Sequence, residues 1–197
     1  MKKVFVIIAL MLLSNLTFAQ ELDIYKTHDI YWLGIDYNHC YFITSYDFSY
    51  PSDLKTKFKA WNVLIFNEKE KYIDNNFFDK KVTIASKFIS QLNTDVDIEK
   101  QIIDDLSKTS HLSEADISEI VKAYNFPSNL SGIGLILIAE SYCKADKKGY
   151  YYITFIDIES KKVLKTERMS GKARGFGVRN YWAFTYYKVL KQIGKKY

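Results

Sequence analysis

The chain has 197 residues, of which 48% are hydrophobic and 16% aromatic, with only eight glycines and two prolines. This composition excludes a disordered or low-complexity protein, and the length is sufficient to bury a proper hydrophobic core. The formal net charge of +5 at pH 7 is a weak excess, which neither requires nucleic acid nor excludes an acidic partner.

The N-terminus has the three parts of a bacterial-type secretory signal peptide. Lys2 and Lys3 precede ten apolar residues over 4–13, and Thr17 and Ala19 occupy the small-residue positions before a cut. A spanning helix requires roughly twenty apolar residues, so this run is too short to anchor the chain. We therefore predict that residues 1–19 are removed. Residues 20–197 should form one soluble domain, periplasmic or secreted, with 26 basic and 23 acidic residues.

The first half of the mature chain alternates between strand-like and helix-like segments. Residues 30–43 are rich in aromatic and β-branched types and predict a first strand. A helix is predicted from Asp53 to about residue 71, because apolar residues recur along it at helical spacing. Residues 81–90 fit a short strand or a helix, and a short helix is expected within residues 97–106. The apolar stripe of the long helix is Leu54, Phe58, Trp61 and Ile65.

A helix with a recognisable N-terminus follows. Ser113 is the predicted N-cap, and Asp116 stands at the capping-box position. Ile117, Ile120, Val121 and Tyr124 should form its buried face, and Pro127 ends it.

The C-terminal half predicts three consecutive strands and a helix. Residues 132–139 are apolar on both faces, residues 150–156 form a second buried strand, and residues 163–169 lie nearer an edge. The last helix presents one apolar face, formed by Trp182, Tyr186, Val189, Leu190 and Ile193. We predict an α+β fold: a single layered domain with a central, antiparallel-rich mixed sheet, flanking helices and the C-terminal helix packed on the sheet.

The same half carries a resemblance to known proteins. The segments concerned are Tyr-Tyr-Ile-Thr-Phe-Ile-Asp at 151–157, Glu-Ser-Lys-Lys-Val at 159–163, Ser-Gly-Lys-Ala-Arg-Gly-Phe-Gly at 170–177 and Arg-Asn-Tyr-Trp at 179–182. Residues 28–194 resemble uncharacterised secreted proteins of Bacteroidetes. Residues 130–194 are distantly similar to the periplasmic lipoprotein activators of penicillin-binding proteins, the curli-secretion lipoprotein and the TolB N-terminal domain. The distant resemblance implies a small α/β domain that acts as a cell-envelope adaptor without catalysis.

The best candidate binding site is the segment 168–182. Its glycines lie just before a helix N-terminus, where free amides and the helix dipole favour an anion, and arginines add bidentate recognition of phosphate or carboxylate. The ligand could be an acidic peptide, an anionic glycan or a phosphorylated envelope molecule. The alternative is a purely structural role for this segment. In that case the glycines allow a tight crossover from strand to helix, the aromatic residues belong to the core and the arginines are solvated. Neither a Walker pattern nor a dinucleotide fingerprint is present. The candidate residues are Arg168, Lys172, Arg174, Phe176, Arg179 and Tyr181.

Other chemistries have weaker support in the sequence. His39 and Cys40 are adjacent, so on a strand they point to opposite faces, and no metal-binding motif accompanies them. Cys143 as a nucleophile would need His39 or His111 as an oriented base. The tyrosines of the predicted strands suggest a carbohydrate platform, although strand aromatics are more often core. Whether Cys40 and Cys143 form a disulfide stays open.

Together these patterns favour an exported binding or adaptor module of the cell envelope without catalytic activity. A secreted hydrolase and a glycan-binding protein are the alternatives. We expect no cofactor, no metal, no nucleic-acid partner and no membrane span after signal removal; an envelope protein or an anionic ligand is the expected partner.

Overall fold

A computed structural model describes residues 23–44, 48, 51–77 and 79–197, so the predicted signal peptide lies outside the described residues. The strands are β1 (Asp29–Asp36), β2 (Tyr41–Ile43), β3 (Lys81–Ile84), β4 (Ile102–Ile103), β5 (Ile133–Cys143), β6 (Lys148–Asp157) and β7 (Lys162–Lys172). The α-helices are α1 (Pro51–Asn67), α2 (Lys87–Leu92), α3 (Ile98–Gln101), α4 (Glu114–Ala123) and α5 (Val178–Lys196). A π-helical turn covers Glu70–Asp74 and a 3-10 helix covers Leu106–Thr109. None of the helices in this described part has the length and apolar content needed to cross a membrane.

The strands form one sheet in which five run parallel, in the order β3-β1-β5-β2-β4. β6 extends the sheet antiparallel to β5, and β7 pairs antiparallel with β6. The predicted α+β fold with an antiparallel-rich sheet is therefore wrong, and the fold is α/β. The reason lies in the connections: helices separate β2 from β3, β3 from β4 and β4 from β5, and such crossovers return the chain in the same direction.

The predicted first strand, residues 30–43, is divided into β1 and β2. Because β6 pairs with β5 along its whole length, β1 and β2 lie end to end along the other edge of β5. Side-chain amides bind the backbone at the break. The Tyr37 N–H donates to Asn93 Oδ1 (2.8 Å), and Gln101 Nε2 donates to the Tyr37 carbonyl (2.9 Å). These hydrogen bonds replace the ladder where the strand is interrupted.

The C-terminal strands follow the sequence prediction closely. All eleven residues of β5 are buried, and β5 pairs antiparallel with β6 from Ile133 opposite Asp157 to Cys143 opposite Lys148. Among the described strands, β7 pairs with β6 and with no other, so its predicted edge position is confirmed. Gly171 in β7 serves close packing, because a Cβ there would lie 2.0 Å from the Thr185 carbonyl oxygen of α5.

Helices cover both faces of the sheet. On one face, Trp61 of α1 and Trp182 and Tyr186 of α5 pack on alternate residues of β5. On the other face, Ile89 of α2 and Ile117 of α4 pack on the intervening residues. Trp182 and Tyr186 are buried, so the predicted sealing of the two central strands by the terminal helix is confirmed.

The local predictions differ in outcome. Ser113 is the N-cap of α4 and forms a complete capping box with Asp116, as predicted. Residues 81–90 contain both a strand, β3, and a helix, α2, so each of the two interpretations holds for part of the segment. The helix predicted from Asp53 begins at Pro51 and changes to a π-helical turn after Asn67. The two-residue strand β4 was not predicted.

Candidate functional site

The candidate segment lies at the end of the sheet where the parallel strands β2, β4 and β5 finish. β2 and β5 end side by side, with Ile43 opposite Cys143. β6 begins and β7 ends at the same edge, with Lys148 opposite Lys172. In open α/β sheets, ligands bind outside the carboxyl ends of the strands. The fold therefore places this segment where the binding sites of such sheets are found.

A short loop, residues 173–177, connects β7 to α5 and is held at its base. The Ala173 N–H donates to the Lys147 carbonyl (2.8 Å), and the Arg174 N–H donates to the Tyr181 carbonyl (3.3 Å). Gly175 and Gly177 have positive φ values of 122° and 75°, a region that strongly favours glycine. These glycines allow the loop to reverse direction just before α5 begins.

Phe176 projects from this loop into solvent. Its side chain is 96% exposed, the highest exposure among the large hydrophobic residues of the described chain, and the neighbouring Val178 is 48% exposed. Exposed apolar side chains next to each other often mark an interaction site. The structure thus places an apolar projection at the centre of the predicted segment.

Basic residues flank this projection along the chain and also occupy the neighbouring β5–β6 turn. Lys172, Arg174 and Arg179 are exposed. The β5–β6 turn adds three lysines, and Asp146 is the one acidic residue in residues 144–148 and 172–182. Asp146 accepts a hydrogen bond from the Tyr150 hydroxyl (2.8 Å). We call residues 144–148 together with 172–179 the apex surface. Its basic residues are Lys144, Lys147, Lys148, Lys172, Arg174 and Arg179.

Tyr181 lies at the inner side of the apex surface. Its ring packs edge-on against Trp182 at 5.1 Å between centroids, and the Lys144 ammonium is 4.9 Å from its centroid. A depression of about 250 Å³ lies here, lined by these three residues and by residues 175–178. The Arg179 carbonyl accepts a hydrogen bond from Trp61 Nε1 (3.0 Å), which fixes the first turn of α5 against α1.

Arg168 is not part of this grouping. Arg168 and Gly171 are three positions apart along β7, so Arg168 points to the opposite face of the sheet from α5. Its Nε donates to Glu140 Oε2 (2.6 Å), and its guanidinium stacks 4.6 Å from the Tyr150 ring centroid. Lys172 also belongs to this face but stands exposed at the strand end. Of the six candidate residues, the structure groups Arg174, Phe176, Arg179 and Tyr181 around one loop.

The Glu140 carboxylate explains the position of Arg168. Glu140 is fully buried, and its Oε1 accepts the N–H groups of His111 (2.9 Å) and Leu112 (3.0 Å). Arg168 supplies the cation for the other oxygen and also donates to the Thr109 carbonyl (3.0 Å). This cluster fastens the segment before α4 to the sheet.

His28, His111 and both cysteines take part in the packing or hydrogen bonding of the fold, whereas His39 is exposed. His28 Nδ1 is 2.8 Å from the Asp79 carbonyl, and His111 Nε2 is 3.0 Å from the Glu140 carbonyl. Cys40 and Cys143 are buried and free, and burial raises the pKa of the Cys40 thiol well above its usual value. Within the described ranges, no three or more His, Cys, Asp or Glu side chains are grouped to hold a metal ion.

The strand aromatics belong mainly to the core. Trp32, Tyr37, Tyr151 and Tyr152 are buried, whereas Tyr31, Tyr41 and Tyr150 are half-buried. Burial raises the pKa of Tyr37, Tyr142 and Tyr151 well above the usual value, and their hydroxyls form a hydrogen-bonded chain inside the protein. Burial and the hydrogen bond to Asp146 raise the pKa of Tyr150 to about 12. These tyrosines therefore contribute to packing more than to an exposed stacking platform.

Comparisons with protein-family models, with curated proteins and with solved structures gave no match to this chain.

Proposed function

We propose that this protein is an exported binding or adaptor module of the cell envelope, without catalytic activity, and that it holds an anionic partner at the apex surface. The observation that carries the proposal is the position of Phe176, 96% exposed among basic side chains. Export rests on the signal peptide predicted for residues 1–19. The proposed partner class rests on the charge of the surface.

The exposure of Phe176 supports a binding role for energetic reasons. Burying a phenylalanine side chain is favourable by about 1.5–3 kcal/mol, so an exposed one leaves that free energy available to a partner. The ring is presented by a loop whose base is hydrogen-bonded to Lys147 and Tyr181. A preorganised loop loses little conformational entropy on binding.

The charge of the apex surface supports an anionic partner. Arg174 and Arg179 flank Phe176 and are exposed, and arginine matches carboxylate and phosphate groups in a bidentate manner. Like-signed charges concentrated at one end of a protein also steer an oppositely charged partner toward that end. Charge and apolar contact thus coincide at one place.

The proposal predicts that charge reversal at the apex surface abolishes binding without unfolding the protein. In pull-downs from cell-envelope extract, Arg174→Glu combined with Arg179→Glu should lose partner capture. Both side chains are exposed, so the melting temperature should stay nearly unchanged.

The matched control reverses two exposed lysines near the other end of α5, Lys191→Glu with Lys195→Glu. The control should capture the partner as the wild type does. If the apex variant also retains full capture, this surface is not the binding site and the proposal fails.

A further inference from the structure

We infer that the partner of the apex surface is an anionic lipid bilayer, with Phe176 inserted among the headgroups and the surrounding lysines and arginines against the lipid phosphates. This inference rests on the proposed function, because it names the partner class of the same surface. The evidence lies in the shape of the loop, the type of its basic residues and the small apolar area.

The loop has a shape suited to shallow insertion. Phe176 is 96% exposed, and Gly175 and Gly177 on either side carry no side chain that would hold its ring against the protein. The loop base is fixed by the hydrogen bonds of Ala173 and Arg174, so the ring projects from a defined support. Val178, 48% exposed, is a second apolar contact beside it. Aromatic and aliphatic side chains at such positions enter the boundary between headgroups and acyl chains.

The charges lie where a bilayer surface would meet them. The β5–β6 turn and the end of β7 are joined by the pairing of Lys148 with Lys172, so their basic residues share one end of the sheet with the loop. Each Lys or Arg close to an anionic membrane adds to the electrostatic attraction. The exposed members of this set therefore provide attraction that does not depend on a specific docking geometry; they are Lys147, Lys172, Arg174 and Arg179.

The composition of the surface favours a bilayer over a protein partner. A stable protein interface buries about 800 Å² on each side, has an apolar centre and is depleted in lysine. Four of the six basic residues of the apex surface are lysines, and its exposed large apolar residues are Phe176 and Val178. Lysines around a small apolar tip are typical of peripheral membrane binding, in which charge and shallow insertion act together.

Vesicle co-sedimentation tests the inference directly. The processed protein, whose first residue is established by N-terminal sequencing, is mixed with vesicles of phosphatidylcholine alone or with added phosphatidylglycerol. We expect binding to the phosphatidylglycerol vesicles, with a partition coefficient at least about tenfold lower for Arg174→Glu/Arg179→Glu and about tenfold lower for Phe176→Ser. High salt should also release the protein, since the attraction is screened.

Matched variants separate the apex surface from general effects. Lys191→Glu/Lys195→Glu reverses the same number of charges, and Phe66→Ser removes a phenylalanine that is 64% exposed near the C-terminal end of α1. Both control variants should bind vesicles as the wild type does. Circular dichroism and the melting temperature should be the same for all variants.

Fluorescence distinguishes insertion from surface attraction. The native tryptophans Trp32, Trp61 and Trp182 are buried, so Phe176→Trp introduces an exposed indole. Its emission should shift to shorter wavelength on phosphatidylglycerol vesicles and stay unchanged on phosphatidylcholine.

Absence of binding to phosphatidylglycerol vesicles, or equal binding by the apex and control variants, overturns the inference. If the wild type ignores vesicles while the arginine reversal still abolishes capture in the pull-down, the proposed binding surface stands and its partner is a protein. If neither assay responds to the arginine reversal, the proposed function fails as well.

Discussion

Among single residues, the buried Glu140 carboxylate explains why Arg168 is held in the fold while other nearby basic side chains are exposed. The fully buried carboxylate needs a cation, and Arg168 reaches it from β7 at 2.6 Å. Arg168 is consequently held inside the fold, whereas Arg174 and Arg179, only a few positions further along the chain, extend into solvent. Residues of one type in one segment therefore have different roles, because Arg168 lies within β7 whereas Arg174 and Arg179 lie beyond its end.

We expect Arg168→Met to destabilise the protein by about 3 kcal/mol, because it leaves a buried carboxylate without its cation. The Arg168 side chain is 32% exposed, so water compensates in part and the loss should lie at the lower end of the range for buried pairs. Urea unfolding measures the change. The double variant Arg168→Met/Glu140→Gln should lose less free energy of unfolding than the sum of the two single variants, by at least about 1 kcal/mol. Strict additivity would show that the two groups do not interact.

At the level of elements, the sequence predicts those features whose causes are local. Ser113 and Asp116 are three positions apart, and their capping box is visible in the sequence and present in the structure. The carboxylate of Asp157 accepts hydrogen bonds from the N–H of Glu159 (3.2 Å) and from the Ser160 hydroxyl (2.5 Å), within the turn between β6 and β7. The apolar runs of β5 and β6 likewise predict two buried strands, and both are buried in the structure.

Pairing between distant segments could not be predicted in the same way. β1 pairs with β3 and β5, which begin more than forty residues later, and no local pattern specifies these partners. β4 has only two residues, too few to show a periodicity. The sequence suggested an antiparallel-rich sheet because its clearest strand patterns are those of β5, β6 and β7, which follow one another in the chain and pair antiparallel. For the candidate site, the sequence predicts the Arg174–Tyr181 segment as a glycine-containing loop before a helix. The ion pair between Arg168 and Glu140 could not be predicted, because the two residues are 28 positions apart in the sequence.

The capping box of α4 gives a prediction at this scale. Ser113→Ala should reduce the free energy of unfolding by about 1 kcal/mol, because the Asp116 N–H loses its acceptor. Hydrogen bonds from Ser113 also hold the pKa of Asp116 below its usual value. A carboxyl group with a lowered pKa in the folded state stabilises the fold above its unfolded pKa of about 3.9, and this contribution is lost as pH falls further. Asp116→Asn should therefore flatten the decline of stability in acid, as measured by urea unfolding at several pH values. An unchanged acid profile in that variant would contradict this role.

At the scale of the whole molecule, the α/β architecture determines whether the two cysteines are accessible to oxidation in the predicted compartment. The helices on both faces bury β5 completely, and Cys143 at its end is enclosed together with Cys40. Periplasmic and extracellular proteins meet an oxidising environment, in which accessible thiols tend to form disulfides. Here burial takes the place of a disulfide, because both sulfur atoms lie in the core and are inaccessible to an attacking group.

This arrangement predicts that the protein retains two free thiols under oxidising conditions. Burial raises the pKa of the Cys40 thiol, so its thiolate, the reactive form, is scarce at neutral pH. A thiol reagent such as DTNB should not react with the native protein, and it should titrate two thiols per chain in concentrated guanidinium without reductant. Cys40→Ala and Cys143→Ala should each leave one thiol, which serves as the control for the count. A mass two hydrogens lower than that of the reduced chain, with no thiol titrated after unfolding, would instead show a disulfide. In that case the strands around Cys40 and Cys143 would have to be arranged differently from the sheet described above.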